Sequence, residues 1–377
     1  MSVIICSTKI MYENGVCSTD VATSLKNIAA KQQHSVYMVS NHSKPTWFDA
    51  HFSGSSVKFL QELGRQKGTI ISSIADAEAS TIFDVIVLAY SKIDVQMGTN
   101  GNALIIGASW SNEDYVRNLG ISSGTPSDFE KIVDTISSWD NLWWHHVDFC
   151  SYTVSSLSDL SGYNQSQPQS DFSARITKVV KNGGNKLNSL LAITARSLLK
   201  DNITNIEKTM WGIYPSSSST NNDTDVLSEF SHRLRTATTR ARHAKREEPL
   251  FIRHSASPKR SKGASTGRSI PNNQIETIHI NPFYKKSLKD KNVILLDDCT
   301  TYGVSFGVAA ALLLKGGAKS VKTIALGKFG NCLKGYDIDI HSDPFSPIPS
   351  TGYTFNGLIS SPGRSYQANQ NSLINIL

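Results

Sequence analysis

The stretch Val293–Ser305 reads VILLDDCTTYGVS, and its reading decides the fold of the 377-residue chain. Four consecutive apolar residues without alternation are what a central parallel strand, buried on both faces, requires. Asp297 and Asp298 follow at once, at the carboxyl end, where open α/β sheets bind ligands. A loop of small residues, Cys299–Ser305, then enters a helix predicted over Gly307–Lys315 and closed by Gly316-Gly317. The backbone N–H groups of such a loop, the hydroxyls of Thr301 and Ser305, and the helix N-terminus converge on one place and favour a phosphate. Two adjacent carboxylates suit vicinal sugar hydroxyls, or a divalent cation, better than they suit the phosphate itself. The plain alternative is an ordinary βα turn with solvated acids.

Outward from this stretch, strands are predicted at Met210–Tyr214, Leu250–Ile252, Glu276–Ile280 and Val321–Leu326. Helical spacing runs through Leu187–Leu199 and through Val226, Phe230 and Leu234. The first half alternates in the same way, with strands at Val3–Cys6, Val36–Val39, Phe83–Leu88 and Ala103–Ile106 and a helix over Val21–Lys31. Alternating strands and helices predict an α/β fold of two domains, each a mainly parallel sheet flanked by helices. The expected division is a domain over 1–150, a polar linker over 151–172 and a second domain over 173–340. A Ser/Pro/Asn-rich C-terminal tail, a docked arm or a mobile one, fills 341–377. The linker rests on Ser155–Ser170, SSLSDLSGYNQSQPQS, which has almost no large apolar residues.

Composition narrows the class. Hydrophobic residues make up 39% and charged residues 18%, enough apolar content to bury real cores and too little charge for a disordered chain. No apolar run approaches the roughly 18 residues of a membrane span, and the opening MSVIICSTKI lacks the marks of a signal peptide. Five scattered cysteines, never in CxxC spacing, argue against a disulfide scaffold and fit a cytoplasmic location. The formal net charge of +7 is concentrated. Between His232 and Arg268 eleven Lys/Arg face only Glu247 and Glu248, so the remainder is slightly acidic.

The strand, acid pair, loop and helix at 293–305 together resemble the type I phosphoribosyltransferases, whose signature for phosphoribosyl pyrophosphate (PRPP) has this order. The resemblance covers roughly residues 173–340. It implies that Asp297 and Asp298 hold the ribose hydroxyls and, indirectly through ribose or water, Mg²⁺. It implies that Thr300, Thr301, Tyr302, Gly303, Val304 and Ser305 form the 5′-phosphate loop, with Tyr302 where a Thr is common. Met210–Asn221, MWGIYPSSSSTN, is similar to the family's first strand and the loop that meets pyrophosphate, here Ser216, Ser217 and Ser218. The run after Leu250–Arg253 is placed like the family's mobile hood, which makes Arg253, Lys259, Arg260, Lys262 and Arg268 candidates to neutralise departing pyrophosphate. Asp297, Asp298, Arg253, Lys259 and Arg260 are thus the implied catalytic group.

The first half resembles a haloacid-dehalogenase-like (HAD) domain through its opening strand, VYMVSN at Val36–Asn41 with Ser40, and ALIIGAS with Asp114 and Gly120-Ile121. Cys6, Thr8 and Ala108 stand where that family has its nucleophile, second acid and metal ligand, so phosphatase chemistry is not expected. A generic Rossmann-like domain is the alternative. Trp143, Trp144, His145 and His146 read as an aromatic packing patch rather than a metal site.

The leading expectation is a phosphoribosyltransferase-like enzyme that binds PRPP and Mg²⁺ and passes phosphoribosyl to a nucleobase or other small nucleophile. A second is a non-catalytic regulatory or effector protein sensing PRPP or a nucleotide. The pairing of the two domain types is similar to proteins of antiphage, retron-type systems. A third is nucleic-acid binding through the basic segment 232–268, with Arg233–Arg246 as the surface for a nucleic acid or protein, or a homo-oligomer as the assembly.

Overall fold

A computed structural model describes residues 2–13, 16–139, 142–183, 186–201, 208–222, 224–238, 242–243, 245–257 and 269–377. The first half carries β1 (Ser2–Ser7), β2 (His34–Ser40), β3 (Val57–Gln61), β4 (Val85–Ala89), β5 (Leu104–Ala108) and β6 (Ile121–Ser123). All pair in parallel, in the order β3-β2-β1-β4-β5-β6. Every residue of β1, β4 and β5 is buried, as a sheet covered on both faces demands. Helices α1 (Thr19–Ala30) and α2 (Pro126–Ser137) lie side by side on it. Ser18 caps the first through the Val21 N–H, and Thr125 caps the second through the Asp128 N–H.

The second sheet is mixed. Its strands are β7 (His145–Asp148), β8 (Tyr152–Asp159), β9 (Thr209–Ile213), β10 (Arg242–His243), β13 (Asn292–Thr300), β14 (Ser320–Lys328) and β17 (Arg364–Ser365). Two hairpins stand outside it: β11 (Phe251–Arg253) with β12 (Ile278–Ile280), and β15 (Gly335–Ile340) with β16 (Tyr353–Ile359). The sheet order is β10-β9-β13-β14-β8-β7-β17, parallel from β10 to β8 and antiparallel at β7 and β17. Its helices are α3 (Gln167–Asn182), α4 (Leu187–Lys200), α5 (Val226–Thr238), α6 (Val304–Lys315) and α7 (Gln367–Ile376). The chain is α/β, with a six-stranded parallel sheet and a seven-stranded mixed one, each flanked by helices.

The expected linker is not one. Ser155–Asp159 belongs to β8, an interior strand between β14 and β7, and Gln167–Ser170 opens α3. Serine marks loops because its hydroxyl competes for backbone hydrogen bonds. Here the competition is answered inside the sheet. Ser156 Oγ donates to the Ser158 carbonyl, Ser158 Oγ donates to the Leu326 carbonyl, and Ser155 Oγ meets His146 Nδ1 at 2.9 Å. Nor does the tail hang free: it supplies β16, the edge strand β17 and α7. Gln370, fully buried, accepts the Asp159 N–H and donates to the Asp159 carbonyl and to Gln169 Oε1.

The two sheets share one apolar cluster, which runs from Ile4 and Leu25 through Ile132 and Trp139 to Leu190, Trp211 and Ile324. Buried Arg196 crosses the junction, donating from Nε to the Trp139 carbonyl at 3.0 Å and from Nη2 to Asp84 Oδ1 at 2.7 Å.

Candidate functional site

A cleft of about 380 Å³ opens at the carboxyl ends of β9 and β13. Strand β13 is longer than the apolar run that announced it. Pairing with β14 continues to Thr300 opposite Lys328, so Asp297 and Asp298 are strand residues rather than loop residues. Both are half-buried and both line the cleft. Their carboxylates are oriented locally: Asp297 Oδ1 accepts the Asp298 N–H at 2.8 Å and Asp298 Oδ1 accepts the Cys299 N–H at 2.6 Å.

Across the cleft lie Ser216 and Ser217, in the turn after β9, where the Ser219 N–H returns to the Ser216 carbonyl. The Ser257 N–H donates to the Ser217 carbonyl at 3.1 Å and ties this turn to the chain beyond β11. Arg253, at the end of β11, is 4% exposed and lines the same cleft. Its Nη1 donates to Thr277 Oγ1 at 2.8 Å, its Nη2 to the Pro215 carbonyl and to Gln274 Oε1, both at 3.2 Å, and its guanidinium stands 5.9 Å from the Tyr214 ring centroid. Every one of these partners is neutral. Among the described residues Arg253 Nε and Ser257 Oγ are buried with no hydrogen-bond partner, and both residues face this cleft. A buried charge without an opposite charge is costly, and an orphaned donor beside it adds to that cost. An anion in the cleft would meet both.

The lining thus unites Asp297, Asp298, Ser216, Ser217, Arg253 and Ser305 from three separate stretches of sequence. It does not include Ser218, which is exposed, or Thr300–Val304. The loop shrinks to Thr301–Gly303 because the strand outlasts the acids. What remains docks sideways: the Phe329 N–H donates to the Thr300 carbonyl at 2.8 Å and the Lys334 N–H to the Tyr302 carbonyl at 3.1 Å. Tyr302 packs against an apolar cluster together with Leu333. Gly303 turns the chain into α6 with φ +82°, and a Cβ there would stand 2.7 Å from the Lys334 carbonyl. From this cap Ser305 enters the first turn of α6, where helix amides favour negative charge. Lys259, Arg260, Lys262 and Arg268 lie outside the described residues.

Four polar lining residues had no place in the sequence reading: Lys181 at the end of α3, Asp225 before α5, Ser257 and Gln274. Asp225 carried a readable signal, an acid directly before an apolar-periodic helix. Lys181 carried none, because only the packing of α3 brings it to the sheet edge. The donors fit Mg²⁺ in kind. Asp297, Asp298 and Asp225 offer carboxylate oxygen, and Mg²⁺ is typically held by one or two carboxylates with water and substrate oxygens. Among the described residues no group of three or more His, Cys, Asp or Glu forms a dedicated metal cage.

At the corresponding end of the first sheet lies a buried polar network. Asp94, fully buried, accepts hydrogen bonds from Ser7 Oγ, Ser91 Oγ, the Tyr90 and Ser91 N–H groups and the Arg65 guanidinium. Cys6 is fully buried, and burial followed by the charge of Asp94 pushes its thiol far above the ordinary range. Such a thiol is no nucleophile. Ser40 and Ala108 are buried, and Asp114 pairs with Arg117 on the surface.

The basic segment is partly used within the chain. Arg233 Nε donates to the Gly120 carbonyl at 2.8 Å and its Nη2 to Asn188 Oδ1, while Arg246 pairs with Glu229 at 2.7 Å. Arg240 and the side chain of Arg242 lie outside the described residues. Trp143, Trp144 and His145 are buried; Trp143 Nε1 donates to Asp201 Oδ2 at 3.0 Å, and His146 meets Ser155 and Asp148. Among the described residues no helix is long and apolar enough to cross a membrane. Comparison with known proteins gives no match to a family model, a curated protein or a solved structure.

Proposed function

We propose that the cleft between β9 and β13 binds a phosphorylated ribose, PRPP or a close relative, and that the protein is a phosphoribosyltransferase-like enzyme. The observation that carries this reading is the meeting in one cleft of the Asp297–Asp298 pair, the Ser216–Ser217 turn and the buried Arg253, whose partners among the described residues are all neutral. An acid pair suits vicinal hydroxyls, and a buried guanidinium with serine hydroxyls suits an oxyanion.

In the reaction, the bond from the anomeric carbon to pyrophosphate breaks and one to a nucleobase nitrogen, or another small nucleophile, forms. Asp297 and Asp298 orient the ribose. Arg253, Ser257 and the Ser216–Ser217 turn hold negative charge as it gathers on the leaving pyrophosphate. Mg²⁺, held through Asp297, Asp298 or Asp225 and substrate oxygens, supplies further charge neutralisation when bound. Lys259 and Arg260, outside the described residues, belong to this proposal as charges that neutralise the departing pyrophosphate.

Calorimetry with PRPP and Mg²⁺ tests the reading. Saturable heat is expected for the wild type and its loss for the double variant Asp297→Ala, Asp298→Ala. A wild type that gives no heat, or a variant that matches it, sinks the proposal.

A second reading is favoured by one feature, the docking of Tyr302 into an apolar cluster. A protein that senses PRPP without turnover retains the binding cleft and dispenses with a mobile phosphate loop. Pyrophosphate release across a panel of nucleobases separates the two, since a sensor binds and releases none.

A further inference from the structure

A second, smaller cavity of about 220 Å³ sits further along the same sheet edge, beyond β14. Its floor is Lys328, the last residue of β14, and its wall is His145, the first of β7. Ser361, in the strap between β16 and β17, and Ser365, in β17 itself, close it, and Asn331 and Lys334 complete the ring. None of the nine described residues that line it is acidic.

Lys328 is 2% exposed. Its ammonium donates to the Gly330 carbonyl and stands 5.2 Å from the Trp144 ring centroid; the charge of Asp159, its register partner on β8, acts on it, but among the described residues no ion pair joins the two. Among the described residues Lys334 Nζ reaches only Ser360 Oγ, at 3.4 Å. His145 Nδ1 meets Ser365 Oγ at 2.7 Å, and the chain at residue 363 lies directly against the imidazole. Two ammonium groups, two hydroxyls, an amide and an imidazole therefore converge on a space lined by no negative charge. A buried ammonium is ordinarily ion-paired, and Lys328 and Asp159 form no such pair, so an anion with several acceptor oxygens would complete the ring. Burial first, then the charges of Lys328 and His146, hold the His145 pKa down, and burial lowers that of Lys328 against the opposing charge of Asp159.

We propose that this pocket is a second anion site that takes inorganic phosphate or a small phosphate monoester. Its size favours a small oxyanion, since drug-sized ligands occupy about 300–1,000 Å³. The site is separate from the β9–β13 cleft and stands whether or not that cleft binds PRPP. It adjoins the cleft's loop, because the segment that runs from Lys328 to Lys334 also braces Thr300 and Tyr302.

The test is a phosphate titration of the full chain, followed through the ring resonances of His145, which are assigned with His145→Gln. Saturable shifts are expected for the wild type. Lys334→Gln, at a half-exposed position, should weaken the response at least fivefold while leaving the unliganded spectrum unchanged. Lys328→Met should abolish it where that variant folds, and Lys334→Gln decides the matter where it does not. Arg253→Gln, in the other cleft, should leave the His145 response within twofold. Glycerol phosphate in place of phosphate distinguishes an ester from the free anion by which saturates at lower concentration. An absent or unsaturable response, one equal in Lys334→Gln, or one lost in Arg253→Gln overturns the proposal.

Discussion

Gly120 and Arg233 hold the two halves of the chain at backbone contact. The Arg233 Nε donates to the Gly120 carbonyl at 2.8 Å, and a Cβ placed on Gly120 would overlap the Arg233 carbonyl oxygen. Helix α5, which shapes the cleft through Val226 and Leu227, is thereby fixed against the edge of the first sheet. Gly120→Ala must push the helix away, a backbone displacement rather than a side-chain adjustment. A loss of stability on the order of 3 kcal/mol is expected in urea unfolding. Because both sheets share one apolar cluster, the loss should appear in a single transition. Two transitions, with only one of them shifted, would contradict a common core.

Arg253→Gln should separate anion binding from folding. Glutamine keeps a donor for Pro215 and Gln274 but removes the charge, so the cost in stability should stay within about 1–2 kcal/mol. Pyrophosphate affinity, measured by calorimetry with Mg²⁺ present, should fall at least tenfold, about 1.4 kcal/mol or more. Unchanged affinity would mean that Arg253 is only a brace between β11 and the turn after β9.

Gly303→Ala asks a side chain to occupy φ +82° and to approach the Lys334 carbonyl to 2.7 Å. A cost of about 1–3 kcal/mol is expected from strain and displacement. The start of α6 should move with it, taking Ser305 out of position. Reduced PRPP binding alongside reduced stability is the predicted pairing. Full binding in a destabilised protein would show that the loop plays no part in the site.

His145 should make stability depend on pH. Burial holds its pKa down to about 4, against 6.5 for an exposed ring, so the folded protein keeps it neutral. Between these values the unfolded chain binds more protons, and stability falls as pH drops from about 6.5 towards about 4. The contribution is on the order of 2 kcal/mol after allowance for screening. His145→Gln should flatten this part of the profile relative to the wild type. The measurement is urea unfolding at pH 7 and pH 5 without phosphate, and parallel curves for the two proteins would refute it.

The thiols should divide by environment. Cys150 and Cys332 are exposed, whereas burial and then Asp298 and Asp297 raise the Cys299 thiol well above its usual range. Aromatic disulfide reagents should modify Cys150 and Cys332 rapidly and spare Cys6 and Cys299 in the folded protein. Rapid labelling of Cys299 would show that the cleft is more open than its packing indicates.

Much of this was legible in one dimension. VILLDDCTTYGVS set out a buried strand, an acid pair at its carboxyl end and a helix beyond, and Asp297, Asp298 and Ser305 do line the cleft. Local pattern suffices there, because an unbroken apolar run has no other stable place than the middle of a parallel sheet. Alternation of such runs with helical spacing likewise determined the α/β class. Sequence alone could not place Ser155–Asp159, since a serine-rich run becomes an interior strand only when neighbouring strands satisfy its hydroxyls. Nor could it place the tail, which Gln370 fastens to Asp159 and Gln169 across the fold. It also could not say that Arg253 would be buried among neutral partners while Lys181 and Gln274 joined it at one sheet edge. Those facts depend on which elements meet in space, and hydrogen-bond partners far apart in the chain are chosen by tertiary packing rather than by local propensity.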